Sequence, residues 1–171
     1  MASSNRCNEV TLGDAIGGEH RSFQFTHVAT WEAPQAVENA LRGTANRPDY
    51  RRQPRVTFTD PEVAAVGLTE EAAREEGLDV HVHVKPVRQV GKARAVGDNE
   101  GIVKVVLERG SRKLLGATIV ASHAGDMLAA LTLPLHVEGG SLEALLATTF
   151  PPPTLSEAAK VAVRNAVTEL G

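Results

Sequence analysis

A chain of 171 residues with 42% hydrophobic content can fill one real core, and its formal charge of −3, from 18 basic and 21 acidic residues spread along the length, leaves no basic face for nucleic acid and no acidic tail. The single cysteine, Cys7, excludes an internal disulfide framework, a Cys-rich zinc site and an intrachain dithiol pair, and it suits a reducing cytoplasm. No apolar run reaches the roughly 18 to 20 residues that span a bilayer, and the polar opening "MASSNRCNE" has no signal-peptide core, so the expectation is a soluble, unexported, cytoplasmic protein with neither membrane nor nucleic acid as partner.

In chain order, "VTLGDAIGG" reads as a short strand running into a glycine turn, and "FTHVATWEAPQAVENALRG" as a helix stopped by Gly43. Pro34 removes a donor and crowds the carbonyl of Thr30, which predicts a kink or a fresh helix start near Ala33. "TANRPDYRRQP", residues 44–54, is polar and proline-bounded, as a linker is, and sets a boundary near Pro54. Beyond it "RVTFTD" alternates as a half-buried strand, "PEVAAVGLT" stays extended, and Thr69 caps the short acidic helix "EEAAREEG" that Gly77 ends. "DVHVHVKPV" alternates strictly, with Val80, Val82 and Val84 on one face and His81, His83 and Lys85 on the other, the latter expected toward solvent.

"GIVKVVLE" and "KLLGATIVA" are two further strands, joined by the turn "RGSR". Helices follow: "SHAGDMLAALTLPLHVEGG" from Ser122, kinked or ended at Pro134, then "SLEALLAT", then "TLSEAAKVAVRNAVTEL". Strands first and helices later predict an α+β fold, an antiparallel sheet of about four to five strands with helices packed against it. Trp31 and the phenylalanines are expected in the core.

The residues Thr59, Asp60, Pro61, Glu62, Val66 and Gly67, the Gly101–Lys104 spacing, the Leu115–Gly116 turn and "PPTLSEAAK" occur in an order that resembles the C-terminal interface domain of the flavin-dependent pyridine nucleotide–disulfide oxidoreductases, over roughly 55–167. "LGDAIGGEHRSFQFTHVA" is similar to the last flavin-binding segment of the same family. The resemblance implies a remnant of an FAD-binding domain at 1–43, a linker at 44–54 and an interface, or dimerisation, domain at 55–171. It implies that Asp14, beside Gly13, meets the ribityl chain of FAD, and that the helix start at Thr26, His27 and Ala29 turns N–H groups toward the flavin ring, where a helix N-terminus stabilises negative charge. Asp14 beside glycine is also ordinary turn chemistry.

A complete member of the family needs a glycine-rich dinucleotide fingerprint, a cysteine pair and an NAD(P)H domain; no G-x-G-x-x-G and only one cysteine occur here, so the chain alone is expected to hold no FAD and to be catalytically incomplete. In the disulfide reductases a His-Pro pair precedes the T-x-S-E motif, and the glutamate orients the histidine. Residue by residue, Pro152 stands at the histidine, Pro153 at the proline and Glu157 at the glutamate. Glu157 is thus the one catalytic candidate, and its other reading is a capping box with Thr154, whose loss would cost about 1 kcal/mol. His81 and His83 offer a two-imidazole metal pair or two exposed strand residues, and the latter reading leaves the chain without a metal. The expected partner is a second copy, joined through the helices around 124–135 and 154–170, whose last member carries a stripe of Leu155, Ala159, Ala162, Val163, Ala166, Val167 and Leu170. The alternative is a separately encoded FAD/NAD(P)H-domain chain whose flavin site this one completes in trans.

Overall fold

The computed structural model describes residues 11–16, 23–137 and 142–171. It divides into two compact units, one ending at Gln53 and one spanning Pro54–Gly171.

In the second unit, five antiparallel strands, β1 (Arg55–Thr57), β2 (Glu62–Gly67), β3 (Val80–Pro86), β4 (Ile102–Glu108) and β5 (Leu114–Ala121), lie in the order β1-β2-β5-β4-β3. Two helices cover the front face: α4 (Ala124–His136) lies over β2 and β5, and α6 (Glu157–Glu169) over β3 and β4, with α5 (Leu142–Ala147) packed against both helices. The core between them holds Val103, Val105, Leu107 and Ile119 from the sheet, Met127, Leu128 and Leu131 from α4, and Ala158, Ala159, Ala162, Val163 and Ala166 from α6. α6 presents alanines because a small side chain lets its axis come close to a sheet already filled with branched residues. The expected α+β fold is what the structure contains, at five strands.

The resemblance-bearing glycines have a steric reason. Gly67 pairs across the sheet with Gly116. A Cβ on Gly67, at φ +72°, would come within 2.3 Å of the Leu115 carbonyl oxygen, and one on Gly116 within 2.0 Å of that of Leu68. Only glycine lets the two backbones approach so closely. Thr69 caps α2 (Glu70–Glu75) as expected, its hydroxyl accepting from the Ala72 N–H at 3.1 Å. Lys104 reaches from β4 to the Glu70 carboxylate at 2.8 Å and so ties this helix to the reverse face.

Several expectations are corrected. The strand expected at "VTLG" is not present at Thr11 and Leu12, and Val10 lies outside the described residues. Pro34 neither ends nor restarts its helix: α1 (Thr26–Arg42) runs through it, and so does α4 through Pro134. α4 begins at Ala124 and not at Ser122, with Glu62 from β2 accepting from the Gly125 N–H at 2.9 Å. Residues 87–97, to which periodicity assigns nothing, form a short 3-10 turn and α3 (Gly91–Val96). Of the aromatic residues placed in the core, Trp31 is 40% and Phe58 82% exposed.

The largest correction concerns β3. Its alternation holds, but the faces are exchanged: the register aligns His81, His83 and Lys85 with Leu107, Val105 and Val103, the core side of β4. Alternation says which residues share a face, not which face is inward, and here the opposite face is also covered, by α2. β3 is the edge strand, so its front-face residues meet the rim of α6, where Glu169 receives both imidazoles: His81 Nε2 and His83 Nδ1 each lie 2.9 Å from one of its oxygens. Lys85 is buried and donates to Gln89 Oε1 at 2.9 Å. Burial, and then the charge of Arg164, lower its pKa.

The α6 cap is also not the one expected. The Glu157 carboxylate accepts from the Thr154 N–H at 3.0 Å, the backward arm of a capping box. The Thr154 hydroxyl does not reciprocate; among the described residues its Oγ1 is buried with no hydrogen-bond partner, and Ser156 stands at the N-cap position. Thr154→Val, which replaces that hydroxyl with a methyl, should therefore leave the melting temperature unchanged or stabilise by up to about 1 kcal/mol. Glu157→Ala should cost about 1 kcal/mol and Glu157→Gln much less, as thermal melts of the three variants will read out.

Hydrogen bonds from His81 and from Lys104, respectively, hold the Glu169 and Glu70 carboxyls below their ordinary 4.5. A carboxylate whose folded pKa is depressed stabilises fully above its unfolded pKa, and the contribution disappears as pH falls through the folded value. Melting temperature should thus drop on acidification below about pH 4.5, and Glu70→Gln with Glu169→Gln should flatten that limb; an identical acid limb in the double variant would refute the assignment.

Candidate functional site

In the first unit, the turn Gly13–Ala15 sits against the first turns of α1. Gly13 is at φ +62°, and a Cβ there would lie 2.9 Å from that of Ala29. Both facts select glycine, so the turn backbone lies directly against the Ala29 methyl. The helix itself starts at Thr26 behind Phe25, which gives no side-chain cap, and the Phe25 ring stacks on His27 at 5.3 Å. Thr26 and His27 are exposed, as is Asp14, whose carboxylate makes no hydrogen bond among the described residues. The structure therefore brings the five sequence-selected positions together: Gly13 on Ala29, Asp14 next in the turn, and Thr26 and His27 at the head of the same helix.

What joins turn to helix is a residue that sequence reading missed. Glu32 is 4% exposed; one carboxylate oxygen accepts from the Gly13 N–H and the other from the Tyr50 hydroxyl at 2.6 Å. Tyr50 stands in a short 3-10 turn capped by Asp49, whose carboxylate accepts from the Arg51 N–H at 3.0 Å. The Tyr50 ring stacks on Phe23 at 5.4 Å and meets Trp31 edge-on at 5.8 Å. Burial, reinforced by the carboxylate beside it, pushes the phenol up to about 12. A signal for Glu32 was available: Val28, Glu32 and Ala36 recur every fourth residue and form the buried stripe of α1.

In the second unit, Glu157 binds backbone and not a side chain, as above, and Pro152 and Pro153, which the resemblance aligned with a His-Pro pair, are joined by a cis peptide. His81 and His83 do not face solvent freely: each side chain is 15% exposed, and their carboxylate partner comes from 86 to 88 residues away, too far for local spacing to reveal. Among the described residues no group of three or more His, Cys, Asp or Glu is arranged to hold a metal ion, and no helix is long and apolar enough to cross a membrane.

Fit to a flavin can be judged on these residues. An exposed carboxylate at Asp14, with no hydrogen bond among the described residues, suits a polyhydroxyl chain, and a helix head without a side-chain cap suits an electron-rich ring edge. The groups that would grip adenine and pyrophosphate have no counterpart among them.

Comparison with known proteins bears on the second unit most directly. Residues 53–163 match the family model described as the pyridine nucleotide-disulphide oxidoreductase, dimerisation domain. The mercuric reductase of Staphylococcus aureus is 37% identical over 165 residues, 95% of this chain and 28% of that protein. The dihydrolipoyl dehydrogenase of Chlamydia muridarum is 34% identical over 154 residues, 90% of this chain and 32% of that one. Among solved structures, the HOCl-induced flavoprotein disulfide reductase RclA from Escherichia coli superposes with a TM-score of 0.76 at 28% identity, covering 90% of this chain and 34% of its own. The chain spans between about a quarter and a third of the length of the curated relatives it matches. With its five-stranded sheet, its glycine pair and its helix pair on one face, the chain belongs to the pyridine nucleotide–disulphide oxidoreductase family, of which it carries the dimerisation domain.

Proposed function

We propose that the chain joins two subunits of an FAD- and NAD(P)H-dependent oxidoreductase and contributes the last edge of its flavin site. The observation that supports this best is the dimerisation-domain match over residues 53–163, which falls on the unit that packs as one sheet and its covering helices. The Gly13–Asp14 turn seated on the head of α1 supports the flavin part: Asp14 accepts from the cofactor's hydroxyls, and Thr26, His27 and Ala29 face its ring from the helix start. FAD, when bound, supplies the electron-transfer chemistry; these residues only place it. A reducing cytoplasm is the compartment that suits a chain with one thiol. Glu157 serves as a cap and not as an orienting acid, because proline at position 152 has no proton to move.

The stripe expected on α6 to face both a core and a partner is divided: Leu155, Val167 and Leu170 are half-buried. Ala159, Ala162, Val163 and Ala166 are fully buried within their own unit, so a charge at Ala166 would break the core and say nothing of association. The outward apolar residue of the helix pair is Leu133 on α4, 68% exposed, with Ala129 one turn before it. Closed two-fold contacts use the same patch on both copies, so one such surface suffices.

A second reading, completion of the flavin site of a separately encoded FAD/NAD(P)H-domain chain, is favoured by one feature: the turn and helix head are held together by Glu32, a residue of this chain. The purified chain alone is expected to be colourless and inactive with NADH and NADPH. It should run as a dimer in light scattering over a concentration series, with Leu133→Glu shifting it to monomer at unchanged melting temperature. Stoichiometric FAD after gel filtration would overturn the first expectation, and a monodisperse monomer at high concentration the second.

A further inference from the structure

A buried carboxylate is costly unless each of its oxygens is paired, and proteins keep one where its bonds hold something in place. Glu32 meets that description, and of the positions assigned to the cofactor it bonds only the backbone N–H of Gly13 among the described residues. It stands on the inner stripe of α1, two turns below the helix head. One oxygen holds the N–H of Gly13, the residue before Asp14, and the other holds the hydroxyl of Tyr50. Its bonds therefore tie three segments, the 13–15 turn, the helix and the 50–52 turn, through one charge.

We infer that Glu32 is a positioning residue: by gripping the Gly13 N–H it fixes the backbone from which Asp14 projects, and Tyr50 completes its pairing so that the grip survives burial. The inference deepens the flavin reading above and rests on it for its meaning, but not for its test. Without Glu32, Gly13 would lose the bond that holds it at φ +62° against Ala29, and Asp14 would sample many directions; glycine supplies the freedom and the carboxylate removes it. Thr26, His27 and Ala29, whose positions come from the helix itself, would stay where they are. Displacement confined to Asp14 is the mark of positioning, as opposed to a general loss of fold.

The composition makes the test site-specific, since Tyr50 is the one tyrosine and Trp31, in edge contact with it, the one tryptophan. In the intact chain the phenolate titration should have its midpoint near 12. Glu32→Gln removes the charge but keeps a carbonyl for Gly13 and an amide that the Tyr50 hydroxyl can accept from, so the midpoint should fall toward the ordinary 10 without reaching it, because burial persists. Amide hydrogen exchange at Gly13 should be slowest in the wild type, faster in Glu32→Gln and about tenfold to a hundredfold faster in Glu32→Ala, the loss expected for one hydrogen bond to a charged group. Tyr50→Phe should leave the Gly13 amide shielded to within about twofold, since the bond to Gly13 remains. Should Glu32→Ala fail to fold, the Gln and Phe variants still decide. An unmoved Tyr50 midpoint in Glu32→Gln, or a Gly13 amide that exchanges equally fast with and without the carboxylate, would overturn the inference. None of these measurements involves flavin, so a chain that passes them while its assembled flavoprotein holds FAD equally well with Asp14→Ala would keep the positioning role and lose the flavin reading.

Discussion

The close seating of α6 on the sheet is the constraint on which the second unit depends. Ala158, Ala159, Ala162 and Ala166 have no measurable exposure, and a larger residue at any of them would push the helix off β3 and β4. That short distance brings Glu169 within reach of both imidazoles of β3 and covers the ammonium of Lys85. The polar ladder on β3 follows from being an edge strand beneath a helix rim: full burial would demand apolar residues, and full exposure would permit them to lie anywhere.

Elements were legible where a local pattern has a local cause. Thr69 before an acidic stretch, Gly77 and Gly43 after helices and the alternation of β3 each act within a few residues, and each is found as read. Order along the chain told the fold class, because strands clustered ahead of helices can close only as an antiparallel layer with helices on it. The inward face of β3 was not legible, since it depends on which side α6 lands, and α6 is separated from β3 by the β4–β5 hairpin and three helices. Of the two outcomes read at Pro34 and Pro134, a kink or a break, the break does not occur, because a long helix with a buried stripe outweighs one lost hydrogen bond. Of the candidate site, the positions 13, 14, 26, 27 and 29 were chosen through family likeness and lie next to one another, whereas Glu32 was hidden among the charges of an amphipathic helix. Only its place on the Val28–Ala36 stripe sets it apart.

The two units treat their paired carboxylates differently, and the difference agrees with the division of labour proposed for them. In the second unit, the paired groups lie at rims: Glu169 and Glu70 keep solvent contact, and their ion pairs fasten a helix to the sheet. Such pairs add little stability individually and are easily screened. In the first unit, Glu32 is taken out of water altogether, and its two bonds constrain a turn that makes no core of its own. A domain whose task is to offer a surface can be held by apolar packing, whereas a segment whose task is to aim one carboxylate needs directional bonds.

The same contrast explains what has become of Glu157. A carboxylate three residues after a threonine, at the start of a helix, has two possible employments: it can orient an imidazole lying before it, or it can return to the backbone and close the helix end. The second needs nothing from position 152, and here it is satisfied by the Thr154 N–H alone. Once proline stands at position 152, the backbone bond is the employment that remains, and the geometry is stable without the Thr154 hydroxyl taking part. A carboxylate at this position is therefore in use whatever precedes it, because the helix still has to begin.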